Sequence, residues 1–320
     1  MSTSAAPVAV HTGSRLASVS QMRGYFLGEP ARALQTGLGL LWLLDGGLQF
    51  QGFMYSRGFI AMIKAQAVGQ PGWAAHSIIW AANLAGGDLG VFNTGFAVVQ
   101  VLIGAGLLLR PTVKGALGLS FAWALVVWWF GEGFGMMLMG SMASPLSGAP
   151  GAVVLYVLIG LLAWPNGRAG GLLGVRGARV MWASLWLVMA WLWLGAGSAA
   201  PNAIHDIIAA APSGMSWLSS LQDGVATLLR DNGVAVALIL AGTSALIGIG
   251  VATGQRVREL LTLAVLLNLA YWLLGQGLGG IFQGGATDPN AGPLFLLLTY
   301  GIARLDTSPP PLASTKELPA

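Results

Sequence analysis

Trp128–Ser141 reads WWFGEGFGMMLMGS, and 144 positions later Trp272–Gly285 reads WLLGQGLGGIFQGG. That offset lays Trp128 on Trp272, Gly131 on Gly275, Gly133 on Gly277, Gly135 on Gly279 and Gly140 on Gly284. Glycine and tryptophan are kept, but Glu132 in the first copy stands where Gln276 stands in the second. Working outward, the same offset pairs Leu41, Trp42 and Leu43 with Leu185, Trp186 and Leu187, and Leu102, Ile103, Gly104 and Gly106 with Leu246, Ile247, Gly248 and Gly250. It also pairs Pro145 with Pro289, Gly148 with Gly292 and Tyr156 with Tyr300. A constant offset over most of both halves marks an internal repeat.

Composition says what kind of repeat. Of 320 residues 55% are hydrophobic and 8% charged, with a mean hydropathy of +0.73, more apolar surface than a soluble fold can hide. The chain reads as an all-α integral membrane protein, its 48 glycines suiting close helix contact in lipid. Hydrophobic elements fall at about Ala33–Phe50, Phe92–Leu109, Gly115–Gly140 and Leu146–Trp164, then Val180–Gly197, Val234–Val251, Leu260–Phe282 and Pro293–Ala303. We expect eight transmembrane helices arranged as two parallel four-helix repeats, residues 33–164 and 180–304. A cytoplasmic linker would cover 165–179, a cytoplasmic tail 1–32 and a disordered tail 305–320.

Charge sets the expected orientation. Arg15, Arg23, Arg32, Arg110, Lys114, Arg168, Arg176, Arg179, Arg256, Arg258, Arg304 and Lys316 fall on one side of this arrangement, and Arg57, Lys64 and Arg230 on the other. The excess predicts a multi-pass protein of the cell (inner) membrane with both termini cytoplasmic. No basic block suggests nucleic acid, and the expected partner is the lipid bilayer. The absence of cysteine excludes disulfides, thiolate metal sites, Cys-ligated clusters and covalent haem in this chain. Between the first and second helices of each half, segments such as FMYSRGFIAMIKAQAVGQ and WLSSLQDGVATLLRD have one apolar face. They predict interfacial helices on the outer side, either lying on the leaflet or forming a lid over the bundle.

Two acids stand out. Glu132 follows Lys114 by 18 residues and Asp45 follows Arg32 by 13, placing them about 27 and 20 Å from the cytoplasmic edge at ~1.5 Å per residue. Both belong to the first half only, since Met189 matches Asp45. Ionisable groups at that depth mark sites by default, although either acid could serve only to bond a helix end. The glycines at 131, 133 and 135 remove side chains from a stretch read as helix, for a packed neighbour or a flat ligand. Glu132 and Asp45 as proton-exchanging groups, with Trp128, Gly131, Gly133 and Gln276 around a quinone head group, form the leading candidate site. His76 with Met136 and Met139 is a second, as a Cu(I) site, against a reading of methionine as packing filler.

A four-span hydrophobic repeat with an extended segment after its first span and a GEG or GQG stretch, Gly131–Gly133 and Gly275–Gly277, resembles the DoxX/DoxD-like membrane family. Some of its members are the membrane subunit of thiosulfate:quinone oxidoreductase, so the resemblance implies a quinone-interacting redox subunit, and it alone implies a redox partner subunit. The doubled repeat departs from that family's usual single four-span unit. The alternatives are a small-solute or copper transport or assembly protein, and a structural membrane anchor.

Overall fold

The computed structural model describes residues 28–305, so the expected tail segments at 1–27 and 306–320 lie outside the described residues. Among the described residues every regular element is helical. We number the α-helices α1 (Pro30–Leu48), α2 (Arg57–Ala65), α3 (Gly72–Gly87), α4 (Leu89–Leu108), α5 (Val113–Val126) and α6 (Ala152–Leu162). Then follow α7 (Gly174–Trp193), α8 (Ala203–Ala209), α9 (Ser216–Leu229), α10 (Gly233–Ala252), α11 (Val257–Leu274) and α12 (Ala291–Ala303).

Local chemistry places their ends. Pro30 opens α1, where a missing N–H costs nothing. The Ser56 hydroxyl accepts from Gly58 N at 3.1 Å to cap α2, and the Asp88 carboxylate accepts from Val91 N at 3.1 Å to cap α4. Asn290 caps α12 by accepting from Ala291 N at 2.6 Å. Helices α4 and α10, and the helical stretches Arg110–Gly131 and Val257–Gln283, are each long and apolar enough to cross a membrane. Helices α6 and α12 are apolar but shorter, 11 and 13 residues.

The distribution of polarity is inverted relative to a soluble bundle. Leu102, Leu125, Leu238, Ile239, Leu246 and Leu266 point outward, while Gln35, Asp45, Asn93, Gln100, Ser120 and Asn268 are buried. Apolar residues all round a helix suit lipid on the outside, and the interior then collects the polar groups. Trp42, Trp182, Trp186, Trp193 and Tyr156 are fully enclosed in a core that runs through both halves. Helices α1 and α4 approach until their backbones nearly touch: a Cβ on Gly104 would lie 2.8 Å from the Gly39 carbonyl oxygen. Gly248 meets α7 in the same way, 3.2 Å from the Ala183 carbonyl oxygen. These are the small-residue contacts the glycine content suggested.

The amphipathic segments are ordered helices fastened to the bundle. Met54, Phe59, Ile63, Ala67, Ile78 and Ala82 form their own apolar cluster against Trp129 and Phe96. Gln70 Nε2 donates to the Gly133 carbonyl at 2.8 Å, Trp129 Nε1 donates to Ser77 Oγ at 2.9 Å, and Gln222 Nε2 donates to the Leu273 and Leu274 carbonyls at 3.2 Å. Helices α2, α3 and α9 are thus bonded to the bundle, a contact that both the interfacial and the lid readings allow.

The duplicated stretch differs most from expectation. The helical stretch ends at Gly131, and the expected continuation to Gly140 is replaced by a reversal of handedness. Gly133, Phe134, Gly135 and Met136 have φ of +54°, +58°, +59° and +63°, and Gly277, Leu278, Gly279 and Gly280 have +53°, +58°, +76° and +67°. Left-handed backbone costs an L side chain about 1–2 kcal/mol, which is why glycine recurs at alternate positions of GEGFG and GQGLG. Gly133, Gly135, Gly277 and Gly279 serve backbone conformation, whereas Gly131 and Gly275 keep negative φ at the helix ends; a Cβ on Gly135 would also lie 1.9 Å from the Pro150 carbonyl oxygen.

Candidate functional site

The left-handed turn is pinned by aromatic packing. Phe134 sits among Trp128, Trp129 and Trp73 with ring centroids 5.2, 5.5 and 5.6 Å away. Aromatic pairs contribute about 0.5–1.5 kcal/mol each beyond burial, enough to offset the strained φ of Phe134. Trp128 Nε1 donates to the Pro150 carbonyl at 3.0 Å, and in the second half Trp272 Nε1 donates to the Pro289 carbonyl at 2.7 Å.

Those two bonds depart from the 144-residue offset beyond the turn. Pro150 and Pro289 accept the same kind of tryptophan bond, 22 and 17 residues on, so the connection after the turn is longer in the first half. With α6 starting at Ala152 and α12 at Ala291, Tyr156 corresponds to Phe295 and not to Tyr300. The ring contacts agree: Tyr156 lies on Trp42 at 4.3 Å and Phe295 on Trp186 at 6.1 Å.

The first half thus has a polar pair where the second has two apolar residues. Tyr156 Oη donates to Asp45 Oδ2 at 2.5 Å, both fully enclosed, while Phe295 and Met189 hold the matching positions. Replacing Tyr156 with phenylalanine leaves the buried Asp45 oxygen without its donor. We expect this to lower stability by about 1–3 kcal/mol in a reversible detergent unfolding measurement, with Phe295→Tyr having no stabilising effect.

Glu132 lies one residue beyond the membrane-length stretch, at the entry to α6. Its Oε1 accepts from Val153 N at 3.2 Å, so the carboxylate does bond a helix end, where partial positive charge favours an anion. Its Oε2 is shielded from solvent, has no hydrogen-bond partner and lies where a Gly151 Cβ would be 2.3 Å away; Asp45 Oδ1 is likewise buried and unpartnered. Burial first, then the charge of Asp288, pushes the Glu132 carboxyl up to about 8, against the amides of Val153 and Ala152.

Asp288, which the sequence reading passed over, completes the cluster. Its charge acts on both Asp45 and Glu132, coupling an acid of the second half electrostatically to the two of the first. Burial holds the Asp288 carboxyl above its ordinary range, although Thr287 Oγ1 and Asn290 N donate to it at 2.8 and 2.6 Å. Its position in a short polar loop, TDPN, gave no signal beyond that of a turn or helix cap.

Beside the cluster runs a groove of about 640 Å³ between α5, α6 and α7, with an almost wholly carbon surface. Trp128, Pro150 and Val153 line it at the Glu132 end, and Phe121, Leu158, Met181 and Ser184 lie along it.

The remaining candidates fall elsewhere. Gly131 is exposed at the end of the helical stretch, whereas Gly133 is buried under Gln66. Gln276 is buried with its Oε1 unpartnered, at the second copy of the turn. Met139 lies against Gly69, Met136 is exposed in the turn and His76 is exposed on α3. Among the described residues no three His, Cys, Asp or Glu side chains group to hold a metal ion.

Fold and site together define an all-helical protein with four membrane-length helical stretches and an enclosed acid cluster beside an apolar groove. No protein-family model, no curated protein and no solved structure matches the chain.

Proposed function

We propose that this is an eight-crossing inner-membrane protein of two parallel four-helix repeats that binds a quinone and exchanges a proton with it through Glu132 and Asp45. The element order from α1 to α6 recurs from α7 to α12, which supports the repeat, and the short apolar helices α6 and α12 are the fourth crossings of the two halves in this reading. Residues from both ends of the described chain, Glu29 and Leu305, line one cavity with Arg110 and Arg168, so the two ends share a face rich in arginine. That face is cytoplasmic in this reading. Single cysteines at 168 and 304 should react only from the cytoplasmic side of sealed vesicles, and those at 76 and 223 only from the outside. The opposite labelling at any of the four would overturn the orientation.

The observation that carries the quinone reading is Glu132 Oε2, a buried acceptor with no hydrogen-bond partner, packed behind Trp128, Pro150 and Val153, which line one end of a carbon-surfaced groove. A hydroquinone hydroxyl is a donor such an acceptor can take, and an isoprenoid tail matches the groove's chemistry. Electrons would pass to or from a partner subunit, as the DoxX-like resemblance implies. Protein purified in mild detergent should retain a prenylated quinone, and Ser184→Trp, which fills the groove from an exposed position, should reduce retention at least tenfold. Folded protein that retains none, or that retains it equally in the variant, would overturn the reading.

A second reading is cation or small-solute transport. The electrostatic coupling of Asp288 to Asp45 and Glu132 favours it, and saturable cation uptake into vesicles independent of quinone would select it.

A further inference from the structure

At the end of the bundle opposite the lid helices lies a cavity of about 1040 Å³, separate from the acid cluster. Its charged lining is Arg32, Arg110, Arg168 and Arg304 against a single acid, Glu29, leaving a net charge of three positive. The apolar part of the wall is Leu34, Val113, Leu162, Trp164 and Leu305. Four elements far apart in sequence supply these residues: the start of α1, the α4–α5 connection, the segment after α6 and the end of α12.

Two of the arginines are braced by the fold. Arg32 donates to Gln35 Oε1 at 3.2 Å and to the Leu107 carbonyl at 2.8 Å, and Gln35 is itself buried and donates to the Ala163 carbonyl at 2.7 Å. Arg110 pairs with Glu29 at 2.7 Å, with both side chains largely exposed. A guanidinium set held at the mouth of an amphipathic cavity, at the membrane-proximal end of a helical bundle, suits a ligand with a negative head and an apolar body. An inorganic anion would use the arginines and leave the apolar wall in contact with water.

We propose that this cavity binds the phosphate head group of an anionic phospholipid, with Arg110 and Arg168 as its contacts and an acyl chain along the Leu34 and Leu162 wall. Each arginine near a lipid phosphate contributes on the order of 1 kcal/mol, about a fivefold change in affinity. The test uses the full chain in detergent, titrated with phosphatidylglycerol and, separately, phosphatidylcholine, with bound lipid counted by native mass spectrometry. Phosphatidylglycerol should bind at least tenfold more tightly than phosphatidylcholine. The double variant Arg110→Gln, Arg168→Gln should weaken it about 25-fold. Both side chains are at the rim, so folding should persist, and Arg230→Gln at the other end should leave binding unchanged. Equal binding of the two lipids, or undiminished binding in the double variant, overturns the proposal. Displacement of phosphatidylglycerol by an equal concentration of inorganic phosphate would also overturn it and assign the site to a free anion.

Discussion

Replacing Gly135 with alanine is expected to cost about 3–5 kcal/mol and, in a protein of ordinary marginal stability, to remove most of the folded population. Two penalties add. Its φ of +59° is left-handed, and the new Cβ would stand 1.9 Å from a backbone carbonyl oxygen, that of Pro150, which cannot swing aside as a side chain could. Moving Pro150 would also move the acceptor of Trp128 and the start of α6, which Glu132 caps. Gly277→Ala should be as severe, because its Cβ would lie 1.4 Å from the Pro212 carbonyl oxygen. The control is Gly118→Ala, in open space on α5, which should be neutral or stabilise by up to about 1 kcal/mol. Expression yield and detergent unfolding midpoints compare the three; a well-folded Gly135→Ala would show that the left-handed turn is not required.

Glu132→Gln is expected to fold and to lose function. The amide oxygen can still accept from Val153 N, and Gln276 already occupies the matching place in the second half. Proton exchange with a bound hydroquinone should fall about 100-fold or more, the usual cost of removing a positioned acid or base. Gln276→Glu should not restore it, because Met189 and Phe295 replace Asp45 and Tyr156 there. Stability supplies an independent check. With its carboxyl raised from 4.5 to about 8, folded protein holds a proton that the unfolded chain has shed. Wild-type stability is therefore greatest below about pH 4.5 as far as this group is concerned, and falls as pH rises to about 8. The glutamine variant lacks that slope and should be the more stable of the two at pH 8, by a few kcal/mol at most. Parallel stability profiles, together with an unchanged rate, would reduce Glu132 to a helix cap.

Much of the architecture was legible in the residues. Hydropathy marked the membrane-length stretches, with starts expected at Phe92, Gly115, Val234 and Leu260, and the helices begin up to three residues earlier, at Leu89, Val113, Gly233 and Val257, two pairs separated by 144 residues. The difference between Glu132 and Gln276 pointed to a turn at which the structure holds a shielded carboxylate oxygen without a partner. The same glycines were misread as helix, because alternate glycine serves both close packing and left-handed backbone, and spacing does not separate the two. Asp288 was missed because an acid in the short polar loop TDPN reads as a turn or helix cap, and its action on Asp45 and Glu132 depends on tertiary packing.

By itself, then, the sequence determined what must hold at every position along a helix: apolar surface where lipid lies, small residues where backbones meet, and arginine at one end. Those follow from local composition and period, which need no knowledge of neighbours. Tertiary structure alone decided that Tyr156 bonds Asp45, that Asp288 acts on Asp45 and Glu132, and that four arginines line one cavity. Such groupings depend on how helices distant in sequence cross. Crossing is set by packing over the whole core, where the contacts of Trp42 with Tyr156 and of Trp186 with Phe295 fix the register that no linear offset could supply.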